Sequence, residues 1–218
     1  MKKNIILILI LILSICVLAF KSSTVNTFPL FGKLIVIDPG HGGADPGAVF
    51  NNEYEKDYNL DFSKVLMHEL ENTGAIVILT REEDYDLSSK EVKRKRSDFD
   101  NRIALIDDLE SDIYISLHMN YLKETNYYGA QVFYSKVNQK NELIAEIIQE
   151  ELNNFLTLNK DAKKIPNDKY MYNKIKTKGV LIEFGFISSS KDRNNIKNED
   201  YKIELAQSIV NGIIKYLT

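Results

Sequence analysis

Ile35-Val36-Ile37-Asp38-Pro39-Gly40-His41-Gly42-Gly43 is the stretch whose reading decides the fold. A short apolar run enters a Pro-Gly turn, which reads as a buried strand ending in a tight, glycine-lined loop. Two later stretches have the same form. Ile113-Tyr114-Ile115-Ser116-Leu117-His118-Met119-Asn120 carries an apolar run into His118, and Val180-Leu181-Ile182-Glu183-Phe184-Gly185 carries one into Glu183. Residues 75–80 and 129–134 read as further strands. Helical stripes alternate with them: Leu60, Phe62, Val65, Leu66 and Leu70; Ile103, Ala104, Leu105 and Leu109; Leu143, Ile144, Ile147, Ile148, Leu152 and Phe155; and Ile203, Ala206, Ile209, Val210, Ile213 and Leu217. This alternation predicts an α/β fold, a single domain whose mixed, mostly parallel sheet is flanked by helices.

In such sheets the carboxyl ends of the strands and the adjacent helix starts converge on one crevice. His41, His118 and Glu183 each follow a strand, and Glu55 opens a helical segment. Two His and one Glu suit a catalytic zinc site with an open fourth position, and a second Glu suits a general base. Taken singly, each residue has a plainer reading. His41 could cap a turn, although its flanking glycines favour a ligand. His118 could be a satisfied core histidine. Glu55 could simply favour the helix dipole, and the residues alone do not choose it over Glu53. Glu183 could pair with Arg81 or Arg102, but a buried carboxylate with a raised pKa also suits proton transfer near neutral pH. Asp38 could orient an imidazole or bond backbone amides. Asn120 offers an amide for substrate. His68, on a helix, reads as a surface or structural residue.

The chain has 218 residues, 44% of them hydrophobic, and a formal net charge of −3. Nothing in this balance suggests nucleic acid. Residues 1–4 are basic and polar, and residues 5–20 are apolar apart from Ser14. That pattern reads as a signal peptide or a short membrane anchor, being shorter than the ~20 residues of an ordinary span. The N-terminal segment is therefore expected to contact the membrane and the domain to be exported. Residues 21–32 read as a linker, and residues 33–218 as the catalytic domain. The single cysteine, Cys16, lies in the apolar segment, so a disulfide, a thiolate nucleophile and a cysteine-based zinc site are all excluded downstream. Residues 88–101 are rich in Lys and Arg. They read as a solvated loop or helix start, with an anionic partner as the functional alternative. The irregular stretch 159–178 sets Tyr170, Met171 and Tyr172 among lysines and could rim a groove.

Five ordered blocks now carry a resemblance. They are Ile37-Asp38-Pro39-Gly40-His41-Gly42-Gly43 with Asp45-Pro46-Gly47-Ala48; Glu55-Lys56-Asp57-Tyr58-Asn59-Leu60; Leu79-Thr80-Arg81 with Asp84 and Arg102; Ser116-Leu117-His118-Met119-Asn120; and Glu183-Phe184-Gly185-Phe186-Ile187-Ser188. Together they resemble the zinc-dependent N-acetylmuramoyl-L-alanine amidases over residues 33–217. The resemblance implies Zn2+ held by His41, Glu55 and His118, with Glu183 as catalytic acid and base. Peptidoglycan is the implied substrate, cut between the lactyl group of N-acetylmuramic acid and the L-alanine of the stem peptide. The short N-terminal anchor and the missing wall-binding repeat look most like the sporulation members. That implies action on spore cortex, in the space around the forespore, as a step towards muramic-δ-lactam. An activator protein is a further expected partner, with residues 93–96 as a docking patch. Arg81 and Arg102 are expected to hold the fold, through Asp84. Met119 replaces the family's usual Ala and is expected to narrow the site. The alternatives are a zinc peptidase acting on the stem peptide and an inactive wall-binding protein.

Overall fold

The structure is a computed structural model, and it describes residues 28–89, 93–124 and 126–218. The expected signal or anchor at 1–20, most of the linker, and Lys90 of the basic stretch lie outside the described residues.

The main sheet has six strands. They are β1 (Leu34–Pro39), β4 (Ile76–Leu79), β5 (Ile113–Asn120), β6 (Gln131–Tyr134), β7 (Lys163–Lys164) and β8 (Gly179–Phe186), in the order β4-β1-β5-β8-β6-β7. β4, β1, β5 and β8 run parallel, β6 is antiparallel to β8, and β7 is parallel to β6. A small hairpin, β2 (Val49–Phe50) with β3 (Glu53–Tyr54), precedes helix α1 (Glu55–Glu71). The other helices are α2 (Arg94–Asp108), α3 (Asn141–Leu156), α4 (Ser190–Ile196) and α5 (Glu199–Leu217).

The central strands are buried on both faces, which is why they read as near-continuous apolar runs rather than alternating ones. Ile35 and Ile37 face a core shared with Phe62, Leu66 and Leu70 of α1, Ile148 of α3 and Ile209 of α5. Val36, Tyr114 and Leu181 face the opposite side. There Ile106 of α2 and the segment carrying Ile165, Met171, Tyr172 and Ile175 cover them. The stripe expected over 143–155 needs one adjustment: Leu143 is half exposed, while Ala145 is buried in the stripe. Ile203, expected on the buried face of α5, also stands exposed.

The register decides where the chemistry lies. Pro39 is paired with Leu117, and His118 with Glu183. The carboxyl ends of β1, β5 and β8 therefore meet at one edge of the sheet. The β5–β8 register shifts at this edge, where the two steps from His118 to Asn120 face three from Glu183 to Phe186, so the extra residue lies in β8.

Candidate active site

His41 follows β1 in a loop whose backbone is held from beneath by two buried arginines. Arg102 Nη1 donates to Asp38 at 2.6 Å and to the Pro39 carbonyl at 3.0 Å, and its Nη2 donates to the His41 carbonyl at 2.6 Å. Arg81 donates to the carbonyls of Pro39, Gly40 and Lys56 at 2.8–3.0 Å. Neither touches Glu183, so the ion pairs considered for that residue are not formed. The structural role expected of both arginines holds. Arg81, however, anchors carbonyls rather than Asp84, which pairs with Lys56 at 2.6 Å. Burial and the nearby Arg102 charge bring Arg81 down to about 10. Asp38 does not reach an imidazole: its carboxylate accepts from Arg102, from Thr80 at 2.7 Å and from Ser116 at 2.8 Å.

Gly40 is required by close approach, because a Cβ there would stand 2.1 Å from His118 Nε2. His41 itself adopts φ 63°, in the left-handed region that few non-glycine residues occupy. This strain sits in the loop that aims the ring.

Glu55 is the first residue of α1 and its carboxylate lies between the two rings. Oε2 faces His41 Nε2 at 3.1 Å and Oε1 faces His118 Nδ1 at 2.8 Å. Oε2 also accepts from the Ala48 amide at 2.8 Å. Glu53, the other candidate at this helix start, points elsewhere, to Tyr58, Arg193 and Lys197. Of the two glutamates at this helix start, it is Glu55 that lies against the histidines. His41, Glu55 and His118 each bring one donor atom to within 4.8 Å of the others, forming the candidate metal cluster among the described residues.

The outward nitrogens of both rings are also engaged. His41 Nδ1 meets Asp45 at 3.0 Å, and His118 Nε2 meets the Tyr172 hydroxyl at 2.9 Å. Burial opposes a charge on His41, but the hydrogen bonds and charges of Asp45 and Glu55 push its pKa up to about 9. Although burial disfavours its charge, Glu55 is held well below the usual carboxylate range by the two histidines.

Glu183 stands beside this cluster. Its Oε2 is shut off from solvent and has no hydrogen-bond partner among the described residues. Burial, reinforced by the Glu55 charge, pushes its pKa up to about 8. The four residues line one cavity of about 420 Å³ together with Lys95, Asn120, Tyr121, Tyr170 and Tyr172.

Other expected residues fall as follows. Asn120 lines the cavity, and its Oδ1 accepts from the Tyr121 amide at 2.8 Å. Met119 is buried in the main core, and its amide points to Glu55 at 3.3 Å. His68 is exposed on α1. The basic stretch is the start of α2, as one of its two plainer readings has it, and its exposed side chains from 93 to 96 still make contacts. Arg94 pairs with Asp86, Lys95 with Asp45, and Arg96 stacks on Tyr170 at 3.4 Å. Tyr172 and the Asp38–Arg102 pair are the functional contacts that sequence reasoning missed. Only the position of Tyr172 in the expected groove rim hinted at it.

Comparison with known proteins agrees with this arrangement. The family model described as N-acetylmuramoyl-L-alanine amidase matches residues 35–215. The germination-specific N-acetylmuramoyl-L-alanine amidase of Bacillus subtilis is 38% identical over 197 residues, spanning 88% of this chain and 83% of that one. The probable cell wall amidase LytH of Staphylococcus aureus is 34% identical over 193 residues, and the match spans 87% of this chain but 60% of LytH. Among solved structures, the CwlD amidase from Clostridioides difficile, in complex with the GerS lipoprotein, superposes with a TM-score of 0.79 at 36% identity. That match covers 85% of this chain and 98% of the other. The chain belongs to the N-acetylmuramoyl-L-alanine amidase family, enzymes that hydrolyse the bond between the lactyl group of N-acetylmuramic acid and the first alanine of the stem peptide.

Proposed function

We propose that this enzyme is a zinc amidase of spore cortex peptidoglycan, with His41, Glu55 and His118 as the metal ligands and Glu183 as the proton carrier. The observation that carries the reading is the convergence of these four residues on one cavity. The donor set fits zinc: two imidazoles and one carboxylate leave a fourth position for substrate or water. Outward partners on both rings support the same reading, since metal-binding histidines are usually fixed that way. When bound, zinc supplies Lewis-acid polarisation of the scissile carbonyl and activates water for attack.

The chain's own residues do the rest. Glu183 accepts a proton as the water oxygen bonds to the lactyl carbonyl carbon. It then delivers that proton to the alanine nitrogen as the carbon–nitrogen bond breaks. The products are a lactyl carboxylate on the glycan and a free peptide amine. A carboxyl group with its pKa near 8 is matched to this shuttle at neutral pH. Asn120, which lines the cavity at the end of β5, supplies an amide for the substrate's amide groups in this reading.

The germination-specific relative supports cortex as the substrate. The complex of the C. difficile relative with a lipoprotein supports a protein partner for this chain as well. Action outside the cytoplasm, with residues 1–20 directing export, agrees with a wall substrate.

The test is mass spectrometry of products released by the purified full chain, with zinc, from cortex-type and vegetative peptidoglycan. Intact stem peptides with a free alanine amine, released faster from cortex, are expected. Peptides cut internally would sink the amidase chemistry in favour of a peptidase. Stoichiometric zinc with no product would leave a wall-binding protein or a partner-dependent enzyme, and adding the cognate lipoprotein distinguishes these.

A further inference from the structure

We infer that Tyr172 is a positioning residue that sets which nitrogen of His118 faces the metal. The inference rests on the metal reading above and adds a residue, and a device, to it.

A directed chain of hydrogen bonds carries the argument. It begins at Asp38, fully buried and paired with Arg102 at 2.6 Å, and therefore an ionised carboxylate that only accepts. Ser116 Oγ lies 2.8 Å from Asp38 Oδ2, so its one hydroxyl proton is donated there. The Tyr172 hydroxyl lies 3.2 Å from Ser116 Oγ. With the serine proton already committed, Ser116 can only accept in that contact, and we assign Tyr172 as its donor. Its single proton is then used as well, so at 2.9 Å from His118 Nε2 it accepts. In this assignment His118 supplies the proton, and Nε2 is an N–H.

A neutral imidazole protonated at Nε2 carries its lone pair on Nδ1. That lone pair faces Glu55 Oε1 at 2.8 Å. Two acceptors so close repel unless a cation lies between them or beside both. The chain from Asp38 to His118 thus builds a demand for positive charge at the place where His41, Glu55 and His118 meet. The buried Asp38–Arg102 pair fixes the polarity of every link and also holds the carbonyls of the loop bearing His41. One buried ion pair therefore serves both histidines, one through the backbone and the other through Ser116 and Tyr172.

Tyr172 is not held there by apolar packing alone. It belongs to the segment covering the α2 face of the sheet, among Ile165, Met171 and Ile175, and its hydroxyl is the end that reaches the site. Tyr172→Phe keeps the ring and removes only that oxygen.

The experiment uses the purified full chain labelled with 15N-histidine. Long-range 1H–15N spectra of the zinc-loaded wild type should show His118 bound through Nδ1 and protonated at Nε2. Competition with a chromophoric chelator should show Tyr172→Phe binding zinc about 10–100-fold more weakly, the usual cost of removing such a support, with an unchanged far-ultraviolet circular dichroism spectrum. Ser116→Ala frees the tyrosine proton to turn towards the histidine, and should weaken zinc in the same direction but less. Zinc on Nε2 would overturn the inference, as would Tyr172→Phe affinity within twofold of wild type. If Tyr172→Phe does not fold, the wild-type spectrum and Ser116→Ala decide. A wild type that binds no zinc overturns the metal reading itself, and this inference with it. Zinc binding and turnover in a Tyr172→Phe chain indistinguishable from wild type would overturn the inference alone.

Discussion

Arg102 and the Oε2 atom of Glu183 are both shut off from water, and they show two ways for an ionisable group to survive there. Arg102 is neutralised by Asp38 and Asp98 and fills its remaining donors with backbone carbonyls. Glu183 has no such partner on Oε2, so burial raises its affinity for a proton instead. The first solution is structural and the second is reactive, and substitutions should separate them. Glu183→Gln keeps size and polarity but cannot exchange a proton. Turnover should fall by at least the ~10²–10⁴-fold typical of a lost general acid–base, while zinc content, measured by atomic emission, stays stoichiometric. A variant within tenfold of wild type would remove Glu183 from the chemistry. Arg102→Met should act on stability. Removing one partner of a buried pair costs about 3–5 kcal/mol, and Thr80 and Ser116 still donate to Asp38, which favours the lower end. Urea denaturation reads this directly, and a loss under 1 kcal/mol would show that the pair is dispensable.

Elements differ in how plainly their sequence announces them. β1, β5 and β8 were legible because both faces are buried and their apolar runs are unbroken. The carboxyl-end position of His41, His118 and Glu183 followed from that alone. The hairpin β2–β3 was not legible, because two residues per strand set no period. α4 was hidden for a similar reason: its burial rests on Asp192 and Ile196, and its start on a cap from Ser189. The Asp38–Ser116–Tyr172 chain joins residues far apart in sequence, and no local pattern records it. Glu55 needed either a family resemblance or a fold, since Glu53 shares its local setting until α1 turns one carboxylate inwards. The packing of α3 on α5 was legible as two stripes but not in its tightness. Gly212 of α5 lies so close to α3 that a Cβ would stand 2.9 Å from the Ile148 Cα. Backbone cannot move aside cheaply, so Gly212→Val should cost about 2–3 kcal/mol, the upper part of the overpacking range. Thermal denaturation checks it; a midpoint equal to wild type would mean that the helices separate freely.

At the scale of the whole molecule, the site is where the sheet's ends, α1 and the β1 loop are tied together. His41 comes from the loop, Glu55 from the helix and His118 from the central strand. Glu55 touches both rings, its oxygens facing nitrogens at 2.8 and 3.1 Å. A cation shared by all three would add a further cross-link to elements already joined by the β1–β5 pairing, the two arginines and hydrogen bonds such as Asn59 to the Gly40 carbonyl. Because that site does not exist in the unfolded chain, binding free energy adds to folding free energy. At free zinc about 1,000-fold above the dissociation constant the gain is about 4 kcal/mol. For a domain of this size each kcal/mol moves the melting midpoint by about 2–4 °C, so zinc should raise it by roughly 8–16 °C over the chelated protein. Calorimetry of the zinc-loaded and chelator-treated chain, with metal content measured on both, tests this. The shift should grow with zinc concentration and vanish in His118→Ala, which lacks one of the three donors. A midpoint unmoved by complete zinc removal would mean that the three elements are fixed without the metal. The 2.8 Å approach of Glu55 to His118 would then need a shared proton in place of a cation.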